Sequence, residues 1–217
     1  VKTLNNKDEK IIDFDVLKKI LGNGSEEEFN IENGIISVCP NANIYFYADI
    51  IPSTILKLNN LLIQTMKENL ADGITKNQHP NPIYLHINSH GGLCSSGFFG
   101  YDTIIEVGKR VDVITIIEGH AASAATLLSI AGTKRLITPN SDMLIHELST
   151  WFGGKASEIT EEYRNVMKIQ TRLENIYLRH SKFEKEELQE ILKKDRLLSA
   201  EEALEKGLVD EIKMSIF

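Results

Sequence analysis

One serine in this chain stands where a hydroxyl can become a nucleophile. Ser123 lies in Gly119-His120-Ala121-Ala122-Ser123-Ala124-Ala125, directly after the apolar run Val113-Ile114-Thr115-Ile116-Ile117. The pattern predicts a strand feeding a helix, with Ser123 at the helix mouth. The first turn of a helix leaves backbone N–H donors unpaired and adds a partial positive charge. A reaction that builds an oxyanion beside the hydroxyl suits that place. The small neighbours Ala121, Ala122, Ala124 and Ala125 admit a substrate backbone closely. Taken alone, Ser123 reads more readily as an ordinary N-cap.

A serine needs a base to take its proton and a third group to orient that base. Of six histidines, His146 has the most suggestive setting: it ends the apolar run Met143-Leu144-Ile145, at the C-terminal edge of a predicted buried strand. Open α/β sheets place their ligands at that edge. The competing reading of His146 is a core histidine satisfied by a carbonyl. His79, His86 and His180 read as structural or solvated, and His90 and His120 as residues that line a site without doing chemistry. Three aspartates compete for the third role. Asp195 sits in a turn between two predicted helices, Asp142 enters the strand of His146, and Asp210 follows the last helix. Chemistry alone separates them little, with Asp195 slightly ahead.

Gly91 and Gly92 follow the alternating strand Ile83–Asn88 and Ser89-His90. Glycines there let the backbone take a positive φ and approach another group closely. Their N–H groups are candidate donors to a developing oxyanion. A plain turn is the bland alternative. A phosphate cradle is disfavoured, because neither GxxxxGK[ST] nor GxGxxG is present. Cys94, just beyond the pair, is a weaker nucleophile candidate than Ser123.

The elements that must hold these groups alternate along the chain. Ile55 to Leu70 has helical apolar spacing, and residues 72–82 read as a loop. Strand, helix, strand, helix and strand then follow, which predicts an α/β fold with a mostly parallel sheet and crossover helices. Glu158 to Arg179 is the longest helical pattern, with Ile159, Tyr163, Val166, Met167, Ile169, Leu173, Ile176 and Tyr177 apolar. Ser199 and Glu202 form a capping box, with Gly207 at the expected C-terminus of that helix. Residues 1–34, polar and acidic with a short amphipathic piece at Phe14–Leu21, read as an appendage. Residues 35–217 read as one domain.

With 217 residues the chain is long enough for a sizeable core, and its net charge of −7 argues against nucleic-acid binding. Its two cysteines, Cys39 and Cys94, and the lack of a signal-peptide pattern lead to the expectation of a reducing, cytoplasmic setting. No apolar run approaches the length of a membrane span.

Together the residues resemble the Clp protease proteolytic subunit family (ClpP) over roughly residues 43–213. Asn43–Ile50 resembles its first core strand, Ile83–Gly92 its strand and "NSPGG" loop, and Tyr101-Asp102-Thr103 its "YDT". Gly119–Ser123 resembles "GxAAS", and Met143–His146 the "MIH" at the base. Asp195–Ala203 with Gly207–Asp210 resembles the closing block. The resemblance implies a ββα-superhelix of the crotonase type with a protruding handle at about residues 148–180. It implies a triad of Ser123, His146 and Asp195, with Gly92 and Ala124 as oxyanion donors. It also implies two stacked heptameric rings (a tetradecamer), peptide or unfolded-protein substrates, and a Clp-type ATPase partner. No metal and no cofactor is expected.

The departures point to a divergent, phage-type branch. His90 replaces the loop proline, Ala124-Ala125 replaces Met-Gly, and Glu147-Leu148 replaces Gln-Pro. Trp151 and Phe152 interrupt the glycine-rich strand on which peptides lie, and residues 1–34 do not resemble the axial loop. The leading expectation is a serine endopeptidase. A capsid-assembly protease or scaffold without an unfoldase, and an acyl-CoA hydratase or isomerase on the same superhelix, are the alternatives.

Overall fold

The structure is a computed structural model, and it describes the backbone of residues 35–38 and all of residues 42–214. The predicted appendage at 1–34 and Cys39 lie outside the described residues. Strands β1 (Ile35–Val38), β2 (Asn43–Phe46), β3 (Ile83–Ser89), β4 (Val113–Ala122), β5 (Lys134–Ile137) and β8 (Glu211–Ile212) are neighbours in that spatial order. Only β1 pairs antiparallel along this path; β2, β3, β4, β5 and β8 are parallel, as the alternating elements predict.

Helices α1 (Pro52–Lys76), α2 (Cys94–Gly108) and α3 (Ala125–Ile130) cross over between these strands. The alternate residues Ile44, Phe46, Leu85, Ile87, Val113 and Ile117 are buried, as are Ile55, Leu58 and Leu62 of α1 and Leu127 and Leu128 of α3. Helix α2 lies tight on α3 through two glycines. A Cβ on Gly97 would fall 3.1 Å from that of Ala124, and one on Gly100 only 2.4 Å from a Leu128 methyl.

Helix α1 overruns the loop expected at 72–82. It continues through Gly73 to Lys76 and stops at Asn77, whose φ of 50° is the left-handed cap. Glycine inside a helix costs only about 1 kcal/mol, and here its missing side chain admits the Gln78 carbonyl and Pro80. Among the described residues no helix is long and apolar enough to cross a membrane.

Strand β4 changes partners along its length. Ile114–Ile117 pair with β5, whereas His120–Ala122 pair with β6 (Asp142–Ile145). The register against β3 shifts between these two stretches. Gly119, at φ +96°, sits in the shift and donates to Ser141 Oγ at 2.5 Å. This is a bulge, and a bulge bends its strand. Strand β6 continues the sheet with β7 (Arg196–Ser199), which runs antiparallel to it. Helices α4 (Ala156–His180), α5 (Lys185–Leu192) and α6 (Ala200–Glu205) complete the chain.

Candidate active site

Ser123 follows β4 without a break, at the point where the chain turns into α3. It is not the helix N-cap: Ala124 holds that position, and Ser123 has φ of +54°. A non-glycine residue in the left-handed region is uncommon and strained. Two anchors keep it there. The Ser123 N–H donates to the Leu144 carbonyl at 2.8 Å, and its own carbonyl accepts from the Thr126 N–H and hydroxyl.

Strand register brings His146 to it. Ala122 is opposite Leu144 in the β4–β6 pair, so His146 emerges one residue beyond β6 on the same sheet end. His146 Nε2 stands 2.7 Å from Ser123 Oγ. For the hydroxyl to donate to Nε2, that nitrogen must be unprotonated, which puts the imidazole proton on Nδ1.

The next register brings up Asp195. Ile145 is opposite Arg196 in the last pair of the β6–β7 ladder, so His146 and Asp195 each stand one residue beyond it, on the same end. Asp195 Oδ1 lies 3.6 Å from His146 Nδ1. That is an ion-pair distance, beyond a closed hydrogen bond, and the carboxylate is 74 % exposed. Asp195 has φ of +45° and belongs to the turn after α5. The expected second helix does begin nearby, but β7 intervenes, and the capping box of Ser199 and Glu202 starts α6 as predicted. Arg196 is paired with Glu202, which ties the strand to that helix.

The competing aspartates are engaged elsewhere. Asp142 pairs with His120 Nδ1, and Asp210 holds Arg135 through its side chain and backbone N–H. His86 is a buried structural residue, 3.0 Å from both Asn43 and Glu118 and stacked on Tyr45. His180 accepts or donates at 2.7 Å with Tyr101, and burial, then Arg135 and Arg179, lower its pKa. The His90 and His120 rings meet at a tilt of 50°, with centres 5.3 Å apart. Burial pushes the Cys94 thiol up to about 11, so it is no thiolate at neutral pH.

The glycine pair packs against the serine. Both glycines have positive φ, and a Cβ on Gly91 would fall 2.8 Å from that of Ser123. Gly92 forms a parallel bridge with Ile50: the Ile50 N–H donates to Gly91, and the Leu93 N–H donates to Ile50. In such a bridge the middle residue turns its own N–H to the opposite side. Among the described residues neither the Gly92 nor the Ala124 amide is taken up by an acceptor. The site thus holds a hydroxyl, an imidazole on that hydroxyl, a carboxylate behind the imidazole, and uncommitted amides nearby.

The Clp protease family matches over residues 47–215. The chain belongs to the Clp protease family. Membership makes it a peptidase of the serine class, and the family generally forms oligomeric rings that act on peptides. The fold has the mixed α/β, mostly parallel form expected of the family.

Several features of this Clp-family site were not anticipated from sequence. The segment 149–154, resembling the family's peptide-binding strand, has no strand pairing, and Trp151 is 91 % exposed. Gly119 makes the bulge that carries the serine past the sheet, and a lone glycine inside a strand pattern is the signal for it.

Proposed function

We propose that the chain is a serine endopeptidase in which Ser123 is the nucleophile, His146 the general base and Asp195 the group that orients the imidazole. The observation that carries this reading is the 2.7 Å contact of His146 Nε2 with Ser123 Oγ, with Asp195 on the other ring nitrogen. His146 takes the hydroxyl proton as Oγ attacks the peptide carbonyl. The imidazolium then protonates the leaving amine, and water repeats the sequence on the acyl-enzyme. The Gly92 and Ala124 amides receive the tetrahedral oxyanion. A hydratase has no need of an imidazole seated on a serine, and that contact favours the peptidase over it.

The proposal includes a ring assembly, a tetradecamer of two heptameric rings, working in the cytoplasm with a Clp-type ATPase that feeds it unfolded chains. Family membership supports it, together with an apolar row on the outer half of α4. Ile159, Tyr163 and Met167 are exposed there, whereas Leu173, Ile176 and Tyr177 of the inner half are buried in the core. The test is Ser123→Ala. Hydrolysis of a fluorogenic peptide and labelling by a fluorophosphonate are expected to vanish, while the mass by light scattering stays that of the wild type. Turnover retained in that variant refutes the nucleophile. A monomeric wild type refutes the ring, and degradation of a folded substrate without any ATPase refutes the partner.

A further inference from the structure

Behind the nucleophile runs a buried polar chain that the triad does not use. Thr126, in the first turn of α3, is fully buried, and its Oγ1 lies 2.6 Å from the Ser123 carbonyl and 2.6 Å from the Tyr177 hydroxyl. Tyr177 belongs to the inner half of α4 and is 1 % exposed. A threonine hydroxyl has one proton. The Ser123 carbonyl can only accept, so Thr126 spends that proton on it. Thr126 must then accept from Tyr177, and the direction of the whole chain is set: Tyr177 O–H to Thr126 Oγ1, Thr126 O–H to Ser123 C=O. Burial holds the Tyr177 phenol above its ordinary pKa, which keeps the donor protonated.

The carbonyl at the end of this chain belongs to the residue with the strained φ of +54°. Its orientation fixes the peptide plane between Ser123 and Ala124, and the Ala124 N–H lies in that same plane. The Thr126 hydroxyl contact, shorter than the Thr126 N–H contact of 3.1 Å on the same carbonyl, therefore bears on both the nucleophile's backbone and a proposed oxyanion amide. Hydrogen bonds in such a chain polarise and strengthen one another, so removing the outer hydroxyl weakens the inner contact.

We infer that Tyr177 and Thr126 are positioning residues for the peptidase reaction: acting only through the Ser123 carbonyl, they hold the nucleophile's turn and the Ala124 amide in reacting geometry. This inference rests on the assignment of Ser123 as nucleophile. Its failure is separable from that assignment's failure, because the latter is read from Ser123→Ala alone.

The experiment uses the full-length assembled protein and four variants. Tyr177→Phe keeps the ring and removes one hydroxyl; Thr126→Val keeps the shape and removes the relay; Thr126→Ser keeps the hydroxyl. The fourth combines Tyr177→Phe with Thr126→Val. Melting temperature and assembled mass are recorded beside kcat, KM and the rate of fluorophosphonate labelling. Tyr177→Phe is expected to lower kcat and the labelling rate by about threefold to tenfold, the weight of one net hydrogen bond, with KM unchanged. Thr126→Val is expected to lose at least as much, and Thr126→Ser to recover most of it. The double variant is expected to be no slower than Thr126→Val. Wild-type kcat in Tyr177→Phe overturns the inference, as do losses that multiply in the double variant. So does a fall in melting temperature with kcat untouched, which would make the chain purely structural.

Discussion

Replacing Gly91 with alanine tests whether the glycine loop is held against the serine by space alone. An added Cβ would fall 2.5 Å from the Ala122 carbonyl oxygen, 2.8 Å from Ser123 Cβ and 3.1 Å from the Ala124 nitrogen. Ordinary contact begins near 3.4 Å, so the methyl must withdraw by 0.9 Å from the first (3.4 − 2.5) and by 0.6 Å from the second (3.4 − 2.8). Ala122 cannot yield, because β4 is clamped there between β3 and β6. The loop must move instead, and Gly92 moves with it. An L residue at φ of +95° adds strain of about 1–2 kcal/mol.

Losing one oxyanion donor costs about 2.7–4 kcal/mol, or about 10²–10³ in kcat. Gly91→Ala is therefore expected to lower kcat on a fluorogenic peptide by about a hundredfold, with KM little changed and the protein still folded at 25 °C by circular dichroism, that temperature being the one at which the kinetics are read. Gly153→Ala is the control: its Cβ would meet nothing nearer than 3.9 Å, and it is expected to fold and melt like the wild type. A folded Gly91→Ala protein with kcat within about twofold of wild type would refute the steric argument, since the donor shift it derives from is worth far more.

Two aspartates give sharply different outcomes. Asp195→Asn is expected to lower kcat by roughly a hundredfold or more without lowering the melting temperature, because it disturbs the imidazole's tautomer and not the core; a kcat equal to wild type would remove it from the triad. Asp210→Asn is expected to leave kcat alone and to lower the melting temperature at pH 7. Burial pushes the Asp210 pKa up, but the hydrogen bonds and charge of Arg135 overrule it, and the net direction is down. A depressed carboxylate contributes stability above its unfolded pKa near 3.8 and loses it as the pH falls through the folded value. The gap between wild type and variant is thus expected to narrow in thermal melts as pH drops below 4; a constant gap from pH 7 to pH 3 would contradict the pairing.

The alternating elements and the serine could be read along the chain because each rests on local signals. Ile83–Asn88 alternates as a half-buried strand, and Met143–Ile145 ends on His146. The acid could not be chosen that way. Asp195 meets His146 only through the β6–β7 register, and β7 is a four-residue strand with its ends exposed, carrying little pattern. The residues alone left three aspartates open, the resemblance of Asp195–Ala203 to the family's closing block pointed to Asp195, and long-range pairing brings that residue to His146. The extension of β4 to Ala122 was equally hidden, since alanines are poor strand formers and tertiary pairing with β6 overrides their preference. The apolar spacing of α4 was legible throughout, but periodicity does not tell a buried half from an exposed one.

The pairing of Ile145 with Arg196 makes the backbone ladder a ruler for the reacting groups. A slip of one residue in either strand would turn the carboxylate to the opposite face, so the separation of acid and base is insured by hydrogen bonds between neighbours. Residues 147–194, the whole excursion between those strands, join that ladder at its base, where the Glu147 N–H donates to the Leu192 carbonyl at 2.9 Å. The outer turns of α4, where Ile159, Tyr163 and Met167 are exposed, stand apart from it and can be rebuilt while the spacing of His146 and Asp195 stays as it is.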